Sequence, residues 1–156
     1  MLKRIGFTVI AFLAFSVVAP AADLFSGTWV LNIAKSSHSQ NKLEQSATQT
    51  ISREGQWWIL RAHSLDSAGN TTAENRIFTL DGKTYPTVGA SGGGTLTTET
   101  KLDDFRLTVT RVAITGKAHS VNNLVISSDG RTRTNTVVGV DAKGLPYQVL
   151  RVYDKQ

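Results

Sequence analysis

The chain contains no cysteine. That one absence removes disulfide staples, thiol nucleophiles and zinc–thiolate sites together. It also excludes a lipid anchor of the bacterial lipoprotein kind, which needs a cysteine at the cleavage point. Histidine is scarce: His38, His63 and His119 lie in different segments, none with a carboxylate at metal-ligand spacing, so no metal site is expected. No Gly-x-Ser-x-Gly occurs, so nothing places a serine beside His63 and Asp66 on a nucleophile elbow. Gly92-Gly93-Gly94 is not followed by Gly-Lys-Ser/Thr, which rules out a phosphate loop and leaves a flexible hairpin tip. Lysine and arginine never form a run, so nucleic acid is not expected as a partner. No catalytic constellation remains, and neither an enzyme nor a cofactor is expected. Helical periodicity is missing over any length comparable to a strand repeat.

A long hydrophobic stretch occurs only at the start. Lys3 and Arg4 precede an apolar run from Ile5 to Val18, and Ala19-Pro20-Ala21 then offers the small-x-small pattern of a signal peptidase site. The run is about 14 residues, short of the roughly 20 that span a bilayer. Residues 1–21 are therefore expected to be a cleaved signal peptide, and 22–156 a single domain that is periplasmic or extracellular, with no membrane span after processing. The remaining 15 basic and 12 acidic residues leave a net charge of +3, spread along the chain. Without disulfides, such a domain is held by its core alone. A monomer is expected.

What fills the rest is a rhythm. Ten strand-like segments run from Gly27 to Lys155, and nearly every gap is a glycine or aspartate turn, such as Glu54-Gly55, Asp81-Gly82, Asp103-Asp104 or Asp129-Gly130. Turns recur at roughly 10 to 14 residues, the spacing of an all-β sandwich or barrel. Phe105, Leu107 and Val109 fall on one face of a strand, with Arg106, Thr108 and Thr110 on the other. On the last segment Tyr147, Val149, Arg151 and Tyr153 share a face, and Leu150 and Val152 take the opposite one. A long meander leaves two bare edges unless it closes. The expected architecture is an up-and-down antiparallel β-barrel of 8–10 strands, with the first strand paired to the last; a two-sheet sandwich is the second reading.

Two segments break the rhythm. Residues 33–46 are polar and predict a long loop with a helical turn at Lys42–Gln45. Residues 85–94 contain Pro86, which confines a strand to an edge or end, and the glycine run. Both are candidates for a barrel mouth. Of the neighbours Trp57 and Trp58, one must face the interior and the other the outside or a second layer. The outer indole either marks a contact surface or is covered by the 33–46 loop. Glu74 and Glu99 read as solvated, or as paired with Arg76 and Lys101.

The two ends carry a resemblance. Gly27-Thr28-Trp29 opens the domain, and Arg151-Val152-Tyr153 lies near its end. Together they resemble the ends of the calycin barrels, the lipocalins and intracellular fatty-acid-binding proteins. Asp81-Gly82-Lys83-Thr84-Tyr85-Pro86 and Val152-Tyr153-Asp154-Lys155 also resemble exported bacterial lipocalin-like proteins. The resemblance implies that Gly27 and Trp29 are structural and that the indole plugs the closed end. It also implies that Arg151 and Tyr153 point inward to grip a carboxylate, chemistry that paired guanidinium donors and a phenol suit. Residues 33–46 are too few for the helix-turn-helix lid of fatty-acid-binding proteins. The second inward arginine of that family has no counterpart in Asn123–Ser127. Arg151 thus has three readings: holding a ligand, stacking on Trp29, or facing solvent. Tyr153 is either a packed aromatic or a ligand donor. Trp57, Arg151 and Tyr153 are the candidate ligand contacts. The expected function is binding of a small hydrophobic or amphipathic ligand in the barrel. The alternative is a non-catalytic structural or interaction protein with a filled barrel, acting through its loops.

Overall fold

The computed structural model describes residues 23–88 and 94–156. The expected signal peptide and residues 89–93 of the glycine-rich segment lie outside the described residues. The strands are β1 (Gly27–Leu31), β2 (Ser37–His38), β3 (Ser46–Glu54), β4 (Trp57–Leu65), β5 (Thr71–Phe78), β6 (Asp81–Val88), β7 (Gly94–Lys101), β8 (Arg106–Ala113), β9 (His119–Ile126), β10 (Thr132–Val140) and β11 (Pro146–Lys155). They form one antiparallel sheet in the order β5-β4-β3-β1-β11-β10-β9-β8-β7-β6, with the two-residue β2 paired to β11. Apart from β2 and β1, which meet at β11, every neighbour in the ribbon follows the meander expected from tight turns. The result is a nearly closed up-and-down barrel.

The turns hold because their aspartates cap their own loops. Asp66 Oδ1 accepts from the amides of Ala68 and Asn70, both at 2.8 Å. Asp141 Oδ1 accepts likewise from Lys143 at 2.9 Å and Leu145 at 3.0 Å. Such side chains mimic a backbone turn and fix the hairpin register. Alternation then decides which face is buried. On β9, Ser120, Asn122, Leu124 and Ile126 are buried, and the residues between them are exposed. On β8, Leu107 and Val109 are buried as expected, whereas Phe105 sits just before the strand and is largely exposed.

The first and last strands pair: Trp29 lies opposite Lys155 and Leu31 opposite Tyr153. The free margins of the ribbon lie elsewhere, at β5 and β6. These are consecutive in the chain, joined by Thr79 and Leu80, and no ladder links them among the described residues. Side chains close that seam. Arg76 on β5 reaches past β6 to donate to Glu99 on β7.

Residues 33–46 hold one short 3-10 turn, Ile33–Lys35, and β2. The helical turn expected at Lys42–Gln45 is absent; it forms earlier because Asn32 caps it, its Oδ1 accepting from the Lys35 amide at 3.2 Å. Asn41, with φ of 52°, turns the chain just before Lys42 instead of starting a helix.

Candidate binding site

The floor of the barrel is built on aromatic side chains and tightly filled. Trp29 is fully buried, and its Nε1 donates to the Phe25 carbonyl at 3.0 Å. Phe25 meets the Trp58 ring edge-on with centroids 6.1 Å apart, a contact worth about 0.5–1.5 kcal/mol beyond burial. The Gly-x-Trp spacing has a local cause. Gly27 adopts φ of 132°, and a Cβ there would fall 2.5 Å from Lys155 Cε. The bare glycine lets the Lys155 stem cross β1 and bring its Nζ to 5.0 Å from the Trp29 ring and 3.2 Å from the Leu24 carbonyl.

A cation sits in this floor. The Arg133 guanidinium, only 1% exposed, lies between the faces of Trp29 at 5.0 Å and Tyr153 at 4.4 Å. It donates to Gln49 Oε1, and Gln49 Nε2 in turn donates to the Tyr153 hydroxyl at 3.2 Å. Burial pushes Arg133 down to about 10, so it stays charged at neutral pH. Aromatic faces stand in for a counter-ion. Burial likewise raises the Tyr153 phenol, against the opposing pull of Arg133 and Arg151.

Above the floor lies a cavity of about 310 Å³, lined both by apolar residues such as Trp58, Leu60 and Leu107 and by charged residues and amides. Arg76 is paired with Glu99 and has its Nε 3.2 Å from Glu74 Oε1. Burial, and then the nearby Arg111 charge, push Arg76 down to about 10. Arg151 forms a two-pronged pair with Glu44 from the 33–46 segment, Nη2 to Oε1 at 2.6 Å and Nε to Oε2 at 3.0 Å. Burial raises the Glu44 carboxyl, but the Arg151 hydrogen bonds and charge outweigh it and hold it below the usual carboxylate range. Asn122, Asn135 and Arg133 each present a buried side-chain polar atom without a protein partner. Left bare, such a group costs about 1–3 kcal/mol. Near the rim a wider recess of about 470 Å³ shares Arg111, Asn122 and Arg151 with this cavity and includes His38 and Tyr147. His38 stacks on Tyr147 at 5.9 Å, and burial and then Arg151 hold its imidazole below the usual value.

Of the candidate contacts, Arg151 and Tyr153 both line the cavity. Arg151 does not stack on Trp29; Arg133 and Lys155 take that place, because Arg133, opposite Tyr153 in the β10–β11 register, sits beside the indole, while Arg151 lies one inward position higher. Trp57 is corrected: its parity puts it on the outer face, 49% exposed, and the inward indole is that of Trp58. Trp57 borders a further groove with Ile77 and Tyr85 at the β5–β6 seam, which shares Phe78 and Glu99 with the main cavity, and the 33–46 segment does not line it. Lys101 pairs with Asp104, leaving both Glu74 and Glu99 to Arg76. Arg111 and Arg133 were not among the sequence candidates. Parity carries the signal for Arg111, which continues the inward series Leu107 and Val109. Arg133 had only weak alternation around it.

Fold and cavity together define an up-and-down barrel with a lined interior, the architecture of fatty-acid-binding proteins. No family model matches the chain, and no curated protein matches it. Among solved structures it is similar to a Schistosoma mansoni fatty-acid-binding protein in complex with arachidonic acid, at 18% identity and a TM-score of 0.64, covering 85% of this chain and 96% of that one. It is also similar to zebrafish ileal bile-acid-binding protein complexed with cholic acid, at 13% identity and a TM-score of 0.52, covering 85% and 99%. As-p18, an extracellular fatty-acid-binding protein, matches at 14% identity and a TM-score of 0.51, covering 86% and 97%. At these identities the likeness establishes the fold.

Proposed function

We propose that this chain is a non-catalytic binding protein that holds one small amphipathic ligand inside its barrel. The observation that carries this reading is the cavity of about 310 Å³, walled by apolar side chains such as Trp58, Leu60 and Leu107 and by four arginines. Volumes of that order suit small-molecule sites, which are mostly apolar with a few placed polar groups. The ligands named for the similar structures, arachidonic acid and cholic acid, are amphipathic carboxylates and agree with it. Arg151 and Tyr153 are proposed wall contacts, with Trp58 in place of Trp57. Gly27 and Trp29 serve the floor. Leader cleavage after Ala21 or Ala22 and export complete the proposal, tested by the N-terminal sequence of protein from its own host.

Native mass spectrometry of host-purified protein, before and after adding lipid extract, tests the binding. A discrete mass increment that denaturation removes is expected. A protein that never carries an increment, and that fatty acids do not stabilise, overturns the reading. The interaction alternative draws support from the exposed groove at Trp57, Ile77 and Tyr85, but the space left in the barrel weighs against a filled interior.

A further inference from the structure

Four arginines and three glutamates line the main cavity: Arg76, Arg111, Arg133 and Arg151 against Glu44, Glu74 and Glu99. Arg76 takes Glu74 and Glu99, and Arg151 takes Glu44. Arg133 is clamped between two aromatic faces in the floor. Arg111 on β8 makes no hydrogen bond or ion pair with any described residue. It lines both the 310 Å³ cavity and the 470 Å³ recess above it, so it stands where the two meet. The interior is thus one anion short, and the shortfall lies at Arg111.

Beneath it are two amides. Arg111 lies opposite Ser120, and Asn122 is the next inward residue on β9. Asn122 lies opposite Val137, and Asn135 is the next inward residue on β10. Each asparagine is 7% exposed, each lines the cavity, and the Oδ1 of each is buried without a protein partner. Interchanging the amide oxygen and nitrogen leaves the same need, since neither end has a described partner. Whatever fills the cavity must bond these groups. Water does so in an empty barrel. A hydrocarbon tail that displaces that water leaves the amides bare, whereas a hydroxyl or carbonyl at the same height replaces the lost bonds.

We propose that Arg111 anchors the anionic head of the ligand and that Asn122 and Asn135 select an oxygenated body, so that the ligand class is a hydroxylated or oxo-substituted amphipathic carboxylate and not a plain alkyl acid. This deepens the binding reading above and rests on it. Arg151, already held by Glu44, acts as wall.

The test is calorimetric titration of the lipid-stripped protein with three probes: stearate, 12-hydroxystearate and methyl 12-hydroxystearate. The hydroxy acid is expected to bind about tenfold more tightly than stearate, one hydrogen bond's worth, and the ester to lose about tenfold or more against its acid. Arg111→Gln should weaken both acids and leave the ester unchanged. The paired change Asn122→Leu and Asn135→Leu should bring the two acids to within about twofold of each other, and because this is a ratio on one protein, a general loss of stability does not imitate it. If stearate binds as tightly as the hydroxy acid, or if Arg151→Gln abolishes acid binding while Arg111→Gln does not, the proposal falls and the barrel reading stands. If none of the three binds, both fall.

Discussion

Arg133 and Arg76 are the same side chain, the one fully buried and the other nearly so, and the protein treats them differently. In the floor, Arg133 has no carboxylate and is held by the faces of Trp29 and Tyr153 and by Gln49. At the seam, Arg76 has two carboxylates, Glu74 and Glu99, and a single ring, Phe78, at 4.7 Å. Burial lowers both to about 10. A guanidinium can be carried into a β-barrel by π-faces or by counter-ions, and the choice sorts the interior into a packed end and an ionic end. Arg111, which has neither among the described residues, stands out against that pattern.

The contrast breaks most visibly at the floor. Trp29→Ala should lower the unfolding free energy by about 3–5 kcal/mol, read by urea denaturation, because it opens a cavity and strips one face from Arg133. At the seam, Glu99→Gln should cost about 3 kcal/mol by the same measurement, since it leaves a buried cation short of its charge partner. A Glu99 variant as stable as the parent would mean that the seam does not depend on the ion pair. Glu44→Gln should cost no more than about 1 kcal/mol, its pair with Arg151 lying nearer solvent.

Acid should act on the turns and the Glu44 pair before it reaches the floor. Backbone amides hold Asp66 and Asp141 below the ordinary carboxylate range, and Arg151 holds Glu44 there. In each case the folded chain binds a proton less readily than the unfolded one. Their stabilisation is complete above about pH 4, the ordinary carboxylate value, and drains away as pH falls through the lowered ones. A unfolding midpoint that does not change between pH 6 and pH 3 would contradict this. The smallest effect belongs to Trp57→Ser, on the outer face, which should shift stability by about 0.5 kcal/mol or less.

Much of this is legible in the sequence. The aspartate and glycine turns set the meander, and the parity of Leu107 and Val109 and of Val149 and Tyr153 set the inward faces, because a two-residue period leaves only two choices. The partnering of charges was not legible. Arg151 and Glu44 are 107 residues apart and Arg133 and Gln49 are 84 apart; only the closed ring brings them together. Trp57 shows the remaining ambiguity. With two adjacent indoles, parity says that one is inside but not which, and the β4 register decides it through Leu60 and Ala62.

The seam between β5 and β6 carries a mechanical consequence. Ladders of amide and carbonyl fix the spacing of every other neighbouring pair around the ring, whereas here the girth is set by a guanidinium reaching over one strand to a carboxylate on the next. The cylinder is therefore a strap whose one polar fastening across the seam, among the described residues, is the Arg76–Glu99 buckle, so exchanging either residue is expected to loosen its circumference without touching a main-chain bond.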